Sequence, residues 1–285
     1  MALAPIDFSD KFEHKRTQEL LKLKPELCTS HTVLVVDNSG SMMEHDIILH
    51  RDRQVAAYSV TAMEFTADQL LKQTATNSDI VSLIEFDKTA RVVFSKEAFS
   101  WVLYNALLNR RDSRNFESRR YDTAKDILSG DLMAAAKILG SIDHDRCALS
   151  LLFLSDGAPT DANTQGLIPL AAKFLMAQKI KQIAQKYEEK LNIQMIGFGS
   201  EYHDFSVLED LVEAATLADS GTKANFTYCG KVADKVASAV NSRVSSTTLT
   251  RSELLQSDRG KSRTKRKVQM ESEVIGKVKW NLQNN

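Results

Sequence analysis

Three oxygen-bearing side chains follow the first strongly apolar run of the sequence. Residues 33–36 are apolar, the carboxylate Asp37 ends the run, and the hydroxyls Ser39 and Ser41 follow at alternate positions. A short apolar run bounded by turn residues is typical of a buried strand, so these side chains belong to the loop at its carboxyl end. In open α/β sheets that edge is where ligands bind. Three oxygens converging there would suit a small hard cation such as Mg2+.

A second carboxylate stands at the end of a later apolar run. Residues 151–154 lead to Asp156, and Gly157 then allows a tight turn. If the two strands are neighbours, Asp37 and Asp156 face one point, where two carboxylates without a counter-charge repel each other. A divalent cation would remove that repulsion. Because the hydroxyl ligands are neutral, part of the positive charge of the cation would remain uncompensated. An open coordination position on the cation would then favour a carboxylate from a partner.

Apolar runs alternate with segments of helical periodicity along most of the chain. The runs predict strands at 33–36, 80–84, 92–94, 148–154, 193–198 and 226–228. Between them, apolar residues recur at helical spacing, as at Val60, Met63, Ala67 and Leu71. This alternation predicts an α/β fold, a doubly wound, mostly parallel sheet with helices on both faces. The short polar link 85–91 predicts a hairpin, and therefore one antiparallel edge strand.

The two carboxylate loops together resemble those of a von Willebrand factor A (VWA) domain. Asp-Asn-Ser-Gly-Ser at 37–41 matches the Asp-x-Ser-x-Ser motif of that family's metal-ion-dependent adhesion site (MIDAS), and Ser-Asp-Gly at 155–157 follows a later strand as it does in the family. The resemblance covers roughly residues 30–244. It implies a Rossmann-like sheet that binds Mg2+ or Mn2+ at its top edge.

The resemblance also implies a ligand set. Asp37, Ser39 and Ser41 would bind the metal from the first loop, and Asp156 from the third loop, directly or through water. These four residues are the ligands that this sequence shares with the family motif.

The middle loop departs from the family pattern. The family places a metal-binding threonine there, before a helix of the form Leu-x-x-Ala, and Gly130 occupies that position in this chain. Asp131 or Ser129 could substitute as the fifth ligand. Thr123 lies too far before the helix to match.

The composition limits the classes of partner. Lysine plus arginine equals aspartate plus glutamate, 37 each, so no overall charge favours nucleic acid or an anionic membrane. No stretch approaches the roughly 18 consecutive apolar residues of a membrane span. Three widely spaced cysteines and the lack of a secretory signal predict reduced thiols in a cytoplasmic protein, and the basic run 259–267 is compatible with a nuclear location.

The chain divides into three predicted parts. Residues 1–29 form an N-terminal helical extension, and residues 30–246 form the VWA domain. After about Ser245 the apolar pattern weakens into Ser, Thr and charged residues. Residues 247–285 therefore form a basic C-terminal tail or extended arm.

These observations favour a non-enzymatic protein-binding module, whose cation binds an acidic side chain of a protein partner. Arg110, Arg111 and Arg114 lie in a highly charged segment, and we expect them to shape partner choice through charge. One alternative is a metal-independent scaffold or adaptor that uses surface helices and the basic tail. A less favoured alternative is a metal-dependent hydrolase, for which no general base is evident beside the metal loops.

Overall fold

A six-stranded sheet forms the centre of the structure. The structure is a computed structural model and describes residues 8–48, 50–86, 90–111, 134–141, 147–157, 170–233 and 235–240. The strands are β1 (Ser30–Asp37), β2 (Asp79–Phe86), β3 (Ala90–Ala98), β4 (Ala148–Ser155), β5 (Leu191–Gly197) and β6 (Lys223–Tyr228). Their order in the sheet is β3-β2-β1-β4-β5-β6. β3 pairs antiparallel with β2, and the other neighbouring strands are parallel. The predicted fold class, with its antiparallel edge strand, is confirmed.

Helices cover both faces of this sheet. They are α1 (Phe8–Leu23), α2 (Arg53–Val60), α3 (Asp68–Leu71), α4 (Trp101–Arg110), α5 (134–139), α6 (Leu170–Tyr187), α7 (Ser206–Thr216) and α8 (235–240). Side chains of α5, α6 and α7 belong to the core on one face, and side chains of α2, α4 and α8 belong to the core on the other. Among the described residues, no helix combines the length and the apolar character needed to cross a bilayer.

β1 contributes to both cores because successive side chains of a strand point to opposite faces. Val33 and Val35 pack in the core under α5–α7, and Leu34 and Val36 pack in the core under α2 and α4. None of the four is exposed. Burial on both faces explains why the central strands are nearly continuous apolar runs.

The helical stripe predicted from Val60, Met63, Ala67 and Leu71 differs from the structure. Val60 and Ala67 are buried, but Met63 is 37% and Leu71 72% exposed. The segment Thr61–Ala67 between α2 and α3 is a π-helix. Its wider turn shifts the buried face away from the 3.6-residue spacing that the prediction assumed.

The predicted domain boundaries, near residues 29 and 246, stay predictions. α1 lies within the predicted extension 1–29, where His14 Nε2 is 2.9 Å from Glu97 Oε2 of β3. The predicted tail 247–285 lies outside the described residues. Cys28, Cys147 and Cys229 are free and buried.

We expect the centre of the sheet to be sensitive to loss of side-chain volume. Leu34→Ala would remove a fully buried side chain from the central strand, and it should lower the free energy of unfolding by about 2–5 kcal/mol. Val92 on the edge strand β3 is 46% exposed. Val92→Ala, the matched control, should change stability by about 0.5 kcal/mol or less. Urea denaturation of the two variants measures both values, and equal losses would contradict this assignment of core and edge.

Candidate functional site

Asp37 and Asp156 meet because their strands are neighbours. β1 pairs with β4 in parallel, with Val36 opposite Leu154. Asp37 is the last residue of β1, and Asp156 directly follows β4. The carboxyl ends of both strands therefore place the two carboxylates at one edge of the sheet, where both are almost completely buried.

Neutral donors hold the Asp37 carboxylate. The backbone N–H of Ser39 donates to Asp37 Oδ1 at 2.8 Å, and the hydroxyl of Ser155 donates to Asp37 Oδ2 at 2.7 Å. Burial and the nearby charge of Asp156 raise the pKa of Asp37 to about 7, from an ordinary 3.8. Hydrogen bonds from neutral groups therefore do not fully stabilise the negative charge at this position.

Ser39, Ser41 and Asp156 bring three further oxygens together. Ser39 Oγ lies 2.9 Å from Ser41 Oγ, and the Ser41 hydroxyl donates to Asp156 Oδ1 at 3.0 Å. Adjacent ligands of an octahedral Mg2+, at 2.0–2.1 Å from the ion, lie about 2.8–3.0 Å apart. The oxygen spacing thus fits two edges of such an octahedron, and it also serves direct hydrogen bonds.

The local fold positions the two hydroxyls. Ser39 has extended backbone angles, and a short 3-10 turn, Gly40–Met43, follows it. Met42 in this turn is completely buried and packs in the core under α2 and α4. The turn is therefore anchored by an apolar side chain while Ser41 stays at the edge of the sheet.

Asp156 is also held by residues of the loop after β5. His203 Nδ1 donates to the backbone carbonyl of Asp156 at 2.5 Å. Gly157 has φ +118°, and a Cβ there would lie 2.9 Å from the Phe205 ring. The tight turn expected at Gly157 is therefore required both by its backbone angle and by the packed ring.

Arg53, which was not among the predicted site residues, supplies a positive charge to the site. Its side chain is completely buried. Nη1 donates to Asp156 Oδ2 at 2.8 Å, and Nε donates to Asp46 Oδ1 and Nη2 to Asp46 Oδ2, at 2.8 and 2.6 Å. Nη2 also donates to Glu44 Oε2 at 2.6 Å. These hydrogen bonds from Arg53 hold the pKa of Asp46 below its ordinary range.

One sequence signal could have found Arg53. It is the first residue of α2, directly after the N-cap Asp52, whose side chain accepts from Val55 N at 2.7 Å. A cation at a helix N-terminus is unfavourable because the helix dipole is positive there. An arginine at that position therefore indicates nearby carboxylates.

Gly199 provides the space for the Arg53 guanidinium. It follows β5 with φ +111°, and a Cβ there would lie 2.9 Å from Arg53 Cζ. The loop after β5 thus depends on glycine both for its backbone angle and for its contact with Arg53.

Arg110 binds a carboxylate of this chain. Its Nε and Nη2 donate to the Glu85 oxygens at 2.7 and 2.6 Å. Glu85, whose side chain is only 2% exposed, also accepts from Tyr58 and Arg91. A role of Arg110 or its neighbour Arg111 in partner binding stays a prediction.

Two other predicted site residues, Arg114 and Asp131, lie outside the described residues, as does the rest of the middle loop 129–131. Within the described part of the chain, no group of three or more His, Cys, Asp and Glu side chains could hold a metal ion. The candidate centre instead combines two carboxylates with two hydroxyls.

Comparison with known proteins shows the fold. No protein-family model and no curated protein matches the sequence. Among solved structures, the pilus adhesin SpaC from Lactobacillus rhamnosus GG matches with a TM-score of 0.54 and 15% identity over 78% of this chain and 31% of its own. A von Willebrand factor type A structure from Catenulispora acidiphila matches with a TM-score of 0.51 and 15% identity over 78% of this chain and 43% of its own.

The PilB minor pilin from Streptococcus sanguinis matches with a TM-score of 0.52 and 13% identity, over 79% of this chain and 62% of its own. The chain therefore spans less than two thirds of each of these three proteins. At these identities the likeness establishes the fold, and this chain has a VWA-like fold, as its loop motifs predicted.

The raised pKa of Asp37 predicts a pH-dependent stability in the absence of divalent cations. Between pH about 4 and 7 the folded protein keeps a proton on Asp37 that the unfolded chain has released, so stability falls as pH rises through this range. Asp37→Asn removes this titration. Urea denaturation in the presence of chelator measures the free energy of unfolding of both proteins. From pH 4 to 7 that of wild type should fall by up to about 4 kcal/mol relative to that of Asp37→Asn, because each pKa unit corresponds to about 1.4 kcal/mol. A constant difference between the two proteins from pH 4 to 7 would contradict the raised pKa.

The contact between Gly199 and Arg53 can be tested with a pair of glycine variants. Gly199 and Gly221 both have positive φ, +111° and +78°, but a Cβ at Gly221 would meet no atom closer than 3.5 Å. Both alanine variants should suffer backbone strain, and Gly199→Ala should lose a further 1–3 kcal/mol or so, because φ +111° lies farther from the left-handed helical region than φ +78° and because its Cβ also displaces the guanidinium. Thermal denaturation of both measures the difference, and equal losses would show that the contact with Arg53 contributes nothing.

Proposed function

We propose that this chain is a non-enzymatic protein-binding module of the VWA type, and that it binds an acidic side chain of a protein partner through Mg2+ or Mn2+. Asp37, Ser39, Ser41 and Asp156 would hold the cation. The observation that carries the proposal is the spacing of Ser39 Oγ, Ser41 Oγ and Asp156 Oδ1, 2.9 and 3.0 Å, which fits adjacent octahedral ligands.

The charges at the site support a cation. Asp37 and Asp156 lie together at the sheet edge, and the raised pKa of Asp37 reflects a negative charge that is not fully compensated. A divalent cation, when bound, supplies the missing positive charge and an open coordination position. The hydroxyls of Ser39 and Ser41 are neutral, so they would leave that position attractive to a carboxylate from outside.

Two further observations support the nature of the partner and the location. SpaC, one of the proteins with a similar fold, is a pilus adhesin, which supports a protein partner. Three free buried cysteines support an intracellular location, because reduced thiols persist there.

A metal-independent scaffold is the second candidate function, and Arg53 favours it. The Arg53 guanidinium already gives Asp156 a positive partner at 2.8 Å. The hydroxyls of Ser41 and Ser155 link the first and third loops by hydrogen bonds alone. These contacts hold both loops in place without a cation.

Calorimetric titration with Mg2+ and Mn2+ tests the cation. Asp37→Ala removes a carboxylate from the site. It should weaken cation binding by at least about tenfold, because losing a neighbouring opposite charge changes ion binding by that order. Asp68→Ala is the matched control, since Asp68 forms an exposed pair with Lys72, and it should bind as wild type does. Equal heats for wild type and Asp37→Ala would overturn the cation proposal.

Affinity capture with and without chelator tests the partner. A protein that wild type retains in Mg2+, and that is lost both in chelator and with Asp37→Ala, would match the proposal. Substituting Asp and Glu residues of that partner then shows whether one of its acidic side chains is needed for binding. A partner that survives both treatments would establish the scaffold function instead.

A further inference from the structure

Arg53 occupies an unusual position for a residue next to a cation site. Its guanidinium is fully buried, and Nη1 binds one oxygen of Asp156 while Ser41 binds the other. Asp156 Oδ2 is therefore held by a permanent positive charge, and Asp156 Oδ1 is the oxygen directed to the hydroxyls of the proposed site.

We propose that Arg53 is a positioning residue that acts as an internal counter-cation. It orients Asp156 so that Oδ1 faces Ser41, and its charge lowers the affinity of the site for a divalent cation. This inference rests on the proposed function, because it concerns the same oxygen atoms.

The weakening of cation binding follows from the geometry. Arg53 Nη1 lies 2.8 Å from Asp156 Oδ2. A cation on Asp156 Oδ1 would therefore lie within about 7 Å of the guanidinium, given metal–oxygen distances of 2.0–2.1 Å. Both positive groups would share a single carboxylate. Salt screens such buried charges poorly, so the repulsion between them persists at physiological ionic strength.

Asp46 moderates this effect. It accepts two hydrogen bonds from Arg53, and Lys231 Nζ lies 3.4 Å from Asp46 Oδ2. The negative charge of Asp46 thus offsets part of the positive charge of the guanidinium. Removing its charge would expose Asp156, and the cation beside it, to more of the positive charge of Arg53.

The two residues therefore have opposite expected effects on cation affinity. Arg53→Gln removes the competing charge and should tighten binding, whereas Asp46→Asn should weaken it. If Arg53 and Asp46 served only to hold the loops, both substitutions would loosen the site and both would weaken binding. The sign of the Arg53→Gln effect separates the two roles.

The experiment is calorimetric titration of the full chain with Mn2+ at fixed ionic strength. Arg53→Gln should bind about tenfold more tightly than wild type, the order by which a neighbouring charge shifts ion binding, and Asp46→Asn several-fold more weakly. Arg53→Lys keeps the charge and should stay near wild type. Lys72→Gln and Asp68→Asn alter an exposed pair and should leave the affinity unchanged.

The outcomes distinguish this inference from the proposed function. If wild type binds Mn2+ and Arg53→Gln binds it equally or more weakly, the inference is overturned and the proposed function stands. If wild type fails to bind and Arg53→Gln binds, Arg53 has taken the place of the cation and the proposed function is overturned. Binding by neither overturns both. Should Arg53→Gln not fold, as judged by its thermal transition, Asp46→Asn decides, and an affinity equal to or tighter than that of wild type overturns the inference.

Discussion

The parallel pairing of β1 with β4 imposes a constraint that the rest of the site must meet. It brings two buried carboxylates, Asp37 and Asp156, to one edge of the sheet, out of water. Two such charges repel strongly at low dielectric, and each also loses its hydration. The loop after β1, the last residue of β4 and the first residue of α2 contribute the groups that reduce this repulsion: Ser39 and Ser41, Ser155, and Arg53.

The two carboxylates are stabilised in different ways. Asp156 has a charged partner, because Arg53 Nη1 lies 2.8 Å from its Oδ2. Asp37 receives its hydrogen bonds from the neutral groups Ser39 N and Ser155 Oγ, and its pKa is raised to about 7. This asymmetry means that the unsatisfied charge of the site is concentrated on Asp37, beside the two hydroxyls at 39 and 41.

The sequence predicted the features that depend on local pattern. Central strands are buried on both faces, so their apolar runs were recognisable, and the alternation of strands with helices implied a parallel sheet. Asp37 and Asp156 could be placed together because both end an apolar run, and parallel strands share an edge. Ser39 and Ser41 followed from their spacing within one loop.

The features that the sequence did not predict depend on contacts between distant segments. Arg53 meets Asp156 across 103 positions of the chain, and no spacing rule links them. Arg110 was predicted to shape partner choice because its segment is highly charged, and the sequence did not indicate that its guanidinium binds the buried Glu85. Met63 and Leu71 were placed in the core because a π-helix is not visible in a 3.6-residue pattern.

The position of Arg53 is set by the core of the protein as well as by the loops that it binds. Helix α2 is fixed at its start by the Asp52 cap and along its length by buried residues such as Ala57 and Tyr58. Gly199 closes the space on the other side of the guanidinium. The Arg53 guanidinium is therefore held from the side of α2 and Gly199, in addition to its hydrogen bonds to Asp156 and Asp46. A change of charge at this sheet edge would therefore act on carboxylates and hydroxyls that are arranged around a buried positive charge.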